Sequence, residues 1–182
     1  CGVMYSAQRS LLYFPSPKVD VAGTTELLLP SGGETLRIHA REHAGPRALI
    51  YFGGNGETVG YNMEWLPAAL PDDAIYLVNY RGYGGSSGVP SEAALFADAL
   101  AVYDHVKQAH PQVSVIGRSL GSGVATYLAS ERSVQRLVLV TPYDSILNIA
   151  RGRYPWLPVS WVLRDRYESA TRAPRVTAKT LL

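Results

Sequence analysis

A single cysteine, Cys1, rules out an internal disulfide and any cysteine-built metal site. No stretch of the 182 residues stays apolar long enough to span a bilayer. Charge of one sign is also scarce. The net charge is only +2, and no basic run interleaved with aromatics forms a groove that could track phosphates, so nucleic acid is not supported as a partner. Lysine is nearly missing, 3 against 14 arginines. Several of those arginines fall between Arg151 and Arg175 beside Asp165 and Glu168, which reads as a solvated face, with attraction to an anionic surface as the second reading. The four histidines (His39, His43, His105 and His110) are too scattered for a metal site. There is no Gly-Lys pair for a nucleotide loop. The sequence therefore calls for no cofactor and no metal.

What remains is 47% hydrophobic and 18% charged, enough for one substantial core in a single domain. Candidate strands recur between turn signals: 26–29, 35–40, 48–52, 75–79, 113–116 and 137–140. The last four are near-continuous apolar runs, as in parallel strands buried on both faces. Residues 62–70 read as a short helix broken by Pro67. The segment 91–109 reads as a long one started by Ser91, with Leu95, Ala99, Val102 and Val106 on one stripe. Helix and strand then alternate, so the expected fold is α/β, a mostly parallel sheet flanked by helices and preceded by an antiparallel pair. Leu11 to Pro17 is an apolar patch ended by prolines and is expected to lie extended across the body as a strap. The aromatic, proline-broken run Tyr154 to Leu163 is expected to wrap the core. Residues 178–182 look like the opening of another strand.

The densest signal is Gly117-Arg118-Ser119-Leu120-Gly121, set between the apolar run 113–116 and the helix-like 122–130. In a strand-to-helix turn this sharp, a serine is held in a strained conformation that lifts its hydroxyl clear of the sheet, and flanking glycines leave room for neighbouring chain. A plain turn with a serine at the bend is the alternative, and the strand-before, helix-after setting weighs against it. A serine needs donors for the oxyanion it creates. Gly53-Gly54-Asn55-Gly56-Glu57 follows a candidate strand, and the N–H of Asn55 with that of Leu120 would make a two-donor hole. Gly82 to Gly88 also follows a strand, but the third glycine of a dinucleotide fingerprint would fall at Ser87, and no helix opens there. Folds built on such an elbow place the acid and then the histidine after the serine, whereas all four histidines precede Ser119. Surface or satisfied structural roles suit them better. Asp144 is a candidate acid, with capping of a helix near Ser145 as the favoured reading.

Taken in order, Arg9 to Pro15, Phe52 to Gly56, Asn79 to Gly88 with Pro90-Ser91-Glu92, the elbow, and Thr141 to Ser145 give a series that resembles the small α/β hydrolases related to the mammalian hydrolase-domain-containing proteins, called serine aminopeptidase-like. The resemblance implies the α/β-hydrolase fold, Ser119 as nucleophile, and Asn55 and Leu120 as oxyanion donors. It also implies that residues 80–88 shape the pocket entrance. Gly53 departs from the family's usual histidine. The family's aspartate follows the strand that would begin at Thr180 and its histidine lies further on, so both are expected beyond Leu182. In that light Asp144 belongs to a structural turn.

The expectation is a serine hydrolase that cleaves carboxylic esters or related acyl bonds of a small-molecule substrate through an acyl-enzyme on Ser119. Thioesterase and peptidase chemistry stay open within the fold, as does a non-catalytic scaffold. Arg118 is expected to be held by structural contacts. Residues 1–20 read as a strap and 21–182 as the N-terminal portion of the hydrolase domain, ending before the last strands. Cys1-Gly2 is similar to the start of a mature bacterial lipoprotein, which would put the strap beside a membrane and the protein in the cell envelope. An arbitrary cut is the other reading, and leaves the cytoplasm open.

Overall fold

The computed structural model describes residues 8–156 and 158–182. Cys1, on which the lipid-anchor expectation rests, lies outside them. The chain runs β1 (Thr25–Ser31), β2 (Glu34–Arg41), β3 (Arg47–Phe52), a 3₁₀ turn (Val59–Glu64), α1 (Leu66–Ala69), β4 (Ala74–Val78), α2 (Glu92–Ala109), β5 (Gln112–Arg118), α3 (Leu120–Glu131), β6 (Arg136–Val140), α4 (Ile146–Arg153), α5 (Val159–Val162), α6 (Ser169–Arg172), a second 3₁₀ turn (Ala173–Arg175) and β7 (Lys179–Leu181). Among the described residues these strands form one sheet in the order β1-β2-β4-β3-β5-β6-β7. β1 and β2 form the expected antiparallel pair, β2 joins β4 antiparallel, and the remaining pairings are parallel.

Period-two alternation sorts the side chains of β3. Ala48, Ile50 and Phe52 enter a large core beneath α2 and α3, while Leu49 and Tyr51 join Val59, Met63 and Leu66 on the opposite face. The expectation of strands buried on both faces holds for β3 and β4. It fails for β5 and β6, where Val113, Val115, Leu137 and Leu139 are buried but Ser114, Ile116 and Val138 are only half-buried. The reason is coverage: the cluster built on the first 3₁₀ turn and α1 covers β3 and β4 and reaches only Ile116 of β5. The segment 62–70 is broken as expected, but at Trp65, between the 3₁₀ turn and α1, and not at Pro67. Pro67 lies in the first turn of α1, where its missing N–H costs nothing.

Helix α2 starts as its sequence dictates. The Ser91 hydroxyl accepts from the Ala94 N–H at 3.2 Å, and Glu92 stands in the first turn. Leu95, Ala99, Val102 and Val106 are all buried, each large aliphatic side chain contributing about 1.5–3 kcal/mol. The same helix carries Asp98, which is buried and gripped in a fork by Arg81 Nε and Nη2, both at 2.7 Å, with the Ser31 hydroxyl donating at 2.6 Å. That pair ties β1 and the loop after β4 to α2.

The strap is partly helical rather than fully extended: residues 8–12 form a turn of helix before the chain straightens at Tyr13. Its hold is polar. The Tyr13 hydroxyl donates to Asp165 at 3.1 Å, and Arg9 Nε lies 3.1 Å from the same carboxylate. Asp165 is therefore buried, not part of a solvated arginine face. The aromatic run near the C-terminal end does not wrap the core either. Trp156 and Trp161 are 74% and 90% exposed, because the short helices α4 and α5 turn them away from the sheet.

Candidate active site

Parallel pairing aligns Phe52 with Gly117 and Arg118 with Val140, so the carboxyl ends of β3, β5 and β6 open side by side. From β3 the chain moves to β4 on one side and then crosses to β5 on the other. That reversal creates a crevice between the ends of β3 and β5, the place where open parallel sheets bind ligands.

Ser119 stands there with φ 48° and ψ −115°, in the left-handed half of φ space that side chains disfavour. Its N–H donates to the Val140 carbonyl at 2.9 Å and its carbonyl accepts from Ser122, N–H and hydroxyl alike. The Ser119 side chain is exposed, and its hydroxyl has no hydrogen-bond partner among the described residues. The flanking glycines are sterically required. A Cβ at Gly121 would collide with the Phe52 carbonyl, and one at Gly117 would come within 2.6 Å of the Ala125 methyl.

Gly54, Asn55, Gly56, Glu57, Arg118 and Ser119 line one cavity of about 340 Å³. Among the described residues, the backbone N–H groups of Asn55 and of Leu120, the first residue of α3, have no acceptor. The Asn55 side chain is occupied elsewhere. Its Oδ1 accepts from the Phe14 N–H at 2.9 Å and the Tyr83 hydroxyl at 2.8 Å, and its Nδ2 donates to the Leu12 carbonyl at 2.6 Å. The loop is thus fastened between the strap and the segment after β4. Residues 80–88 do not line this cavity. They brace the loop from behind, Tyr83 through Asn55 and Tyr80 through a 2.7 Å bond to the Gly53 carbonyl.

Glu57 is the residue the sequence reading passed over. One carboxylate oxygen accepts from the Gly54 N–H at 2.6 Å; the other accepts from the Tyr51 hydroxyl and Asn62 Nδ2, both at 2.8 Å. Burial first, and then this carboxylate, pushes the Tyr51 hydroxyl above its ordinary range, which keeps it a donor. Arg118 Nη1 lies 3.5 Å from the Gly54-facing oxygen, so the elbow and the glycine loop share one ion pair. A Cβ at Gly53 would press on both Val59 and Glu57. No side chain fits at position 53, and the acid occupies the space beside it. The signal was in view: an acid closing a glycine run is a ready acceptor for the loop's own N–H groups.

The other candidates stand apart. The Asp144 carboxylate accepts from Asn148 Nδ2 and the Ser145 N–H, both at 2.6 Å, and these donors hold it below the usual carboxylate range. Ser145 itself is the N-cap of α4. Asp144 borders a different, apolar cleft of about 450 Å³ together with Leu137, Leu139 and Val176, and Ser119 is not part of it. No histidine among the described residues lines the Ser119 cavity. His110 is a satisfied core residue, its Nδ1 2.9 Å from the Gly45 carbonyl. His39 departs from expectation: it is buried in β2 and its Nε2 has no partner.

A crossed parallel sheet with a strained serine at the head of a helix and a glycine loop facing it defines a class of α/β enzymes. The family model described as alpha/beta hydrolase fold matches residues 47–174. The uncharacterized protein Rv2307c of Mycobacterium tuberculosis is 33% identical over 98% of this chain and 69% of its own length. Lysophosphatidylserine lipase ABHD12 of Gallus gallus is 36% identical over 57% of this chain and 30% of its own. Among solved structures, the Pyrococcus furiosus esterase Pf2001 superposes with a TM-score of 0.67 over 92% of this chain and 74% of that one, at 14% identity. The chain belongs to the α/β-hydrolase fold family, a family of hydrolases.

Proposed function

We propose that this chain carries the nucleophile and oxyanion hole of a serine hydrolase that cleaves carboxylic esters or related acyl bonds. The observation that carries the reading is the exposed Ser119 at positive φ, sharing a cavity with a loop whose Asn55 N–H is unspent. Ser119 Oγ attacks the acyl carbonyl while a base takes its proton. The carbonyl oxygen becomes an oxyanion, stabilised by the N–H groups of Asn55 and Leu120. The bond to the leaving alcohol then breaks as that oxygen takes up the proton, leaving an acyl-enzyme on Ser119. Water, deprotonated by the same base, attacks the ester carbon; the bond to Ser119 Oγ then breaks as Oγ takes the proton back from the base, which releases the acid and restores the serine. The base and its orienting acid are assigned to chain beyond Leu182, since no described histidine reaches the cavity and Asp144 is committed to its own turn.

The test is labelling of the full-length protein with a fluorophosphonate probe, beside Ser119→Ala. The expected result is labelling that vanishes in the variant. A folded protein that takes no label would make the elbow vestigial and favour a binding module.

A further inference from the structure

The segment from α4 to α5 exposes side chains that the core does not use. Trp161 is 90% exposed, Trp156 74%, Ile149 53% and Tyr154 45%. Scattered exposed apolar residues need no explanation, but four large ones within thirteen residues do. The patch continues onto the strap. Leu11, itself 67% exposed, lines a groove of about 310 Å³ with Ala150, Tyr154, Val159 and Val162.

Its exposed charge is positive except for Asp144, which precedes α4 and is bound by Asn148 and the Ser145 N–H. Arg151 and Arg153 stand exposed in the last turn of α4, and neither meets a carboxylate among the described residues. Arg151 bonds only neutral groups, Ser160 Oγ at 2.8 Å and Asn148 Oδ1 at 3.5 Å. Between residues 146 and 166 the sole acid is Asp165. It is buried, its carboxylate bound to Arg9, the Tyr13 hydroxyl and the Glu92 N–H. Indole rings standing in solvent beside uncompensated guanidinium groups match the lipid-water boundary, where an amphipathic ring sits at headgroup level and arginine meets phosphate. Among the described residues no helix is long and apolar enough to cross a membrane, so such contact would lie in the interface.

We propose that the α4–α5 segment is a docking surface for an anionic lipid bilayer. Trp156 and Trp161 enter the headgroup layer, Arg151 and Arg153 face the lipid phosphates, and the groove beside Leu11 takes up apolar material at the boundary. The surface joins the strap one residue from the site: Leu12 lines the groove while its carbonyl accepts from the Asn55 side chain. Docking does not require that Ser119 be catalytic, and it is distinct from any lipid on Cys1.

The experiment is co-sedimentation of the full-length protein, with Cys1→Ser throughout, against phosphatidylcholine vesicles with and without phosphatidylglycerol. Binding is expected only with the anionic lipid, weakening as salt rises. Trp156→Ser with Trp161→Ser should weaken it about tenfold or more, and Arg151→Gln with Arg153→Gln about thirtyfold. All four side chains are exposed, so the variants should melt like the parent. Vesicle affinity unchanged in these variants overturns the proposal. So does self-association abolished by the same tryptophan changes, which would make a second copy the occupant. Protection of Trp156 and Trp161 from acrylamide in the vesicle-free protein would also overturn it, by showing them already covered.

Discussion

At the scale of single residues, the site depends on groups that never touch a substrate. The turn at Ser119 was legible because so sharp a strand-to-helix bend needs glycines two residues to either side, and the structure supplies the collisions that exclude anything larger. Glu57 was legible only as an acid closing a glycine run; its full role is a sum of contacts with Gly54, Tyr51, Asn62 and Arg118, and no spacing rule predicts such a hub. If Asn55 supplies an oxyanion donor, Glu57 positions it by fixing the preceding peptide. Glu57→Ala should then lower kcat for a nitrophenyl ester about a hundredfold, the cost of a displacement near 1 Å, with KM nearly unchanged. Glu57→Gln keeps one acceptor oxygen and should recover part of the loss. A variant that unfolds less readily than it loses kcat fits this account. Unchanged kcat in a folded Glu57→Ala protein would remove Glu57 from the positioning role.

At the scale of elements, the sequence patterns that worked were those with one dominant cause. The α2 stripe and its Ser91 cap, and the six strands, follow from periodicity and local bonding that tertiary context did not oppose. The failures came where context decided. Alternation of burial in β5 and β6 depends on what covers the second face, and Trp156 and Trp161 were expected inside because hydrophobicity alone does not fix direction. β2 adds a case with a measurable consequence. Burial, and then the neighbouring Arg37 guanidinium, lowers the His39 pKa below its ordinary 6.5, outweighing Glu26 and Asp20. The unfolded chain therefore binds a proton that the folded chain refuses, so stability should fall as pH drops from about 7 toward 5. Urea melts across that window should show the slope, and His39→Leu should flatten it. An equal slope in the variant would assign the dependence to other groups.

At the scale of the whole molecule, the two ends of the described chain meet through buried polar groups set within a shared apolar layer that holds Leu12, Tyr13 and Tyr167. Asp165 accepts from Arg9 Nε at 3.1 Å, the Tyr13 hydroxyl at 3.1 Å and the Glu92 N–H at 3.2 Å. Glu92 in turn accepts from the Arg166 N–H at 2.6 Å and Arg172 Nη2 at 3.4 Å, and Tyr13 also bonds the Tyr167 hydroxyl at 2.8 Å. One residue beyond Tyr13, the strap reaches the site, where the Phe14 N–H donates to Asn55. Strap, C-terminal segment and glycine loop therefore form one mechanical unit. Asp165→Ala strands an arginine, a hydroxyl and an N–H, and should cost about 3 kcal/mol. The location of that loss is more telling than its size. Hydrogen exchange should rise together in residues 9–15, 163–169 and 54–57, because the loop's Asn55 anchors depend on a strap that Asp165 holds. Faster exchange confined to 163–169 would mean that the strap is fixed by other contacts and that the two ends of the chain act separately on the site.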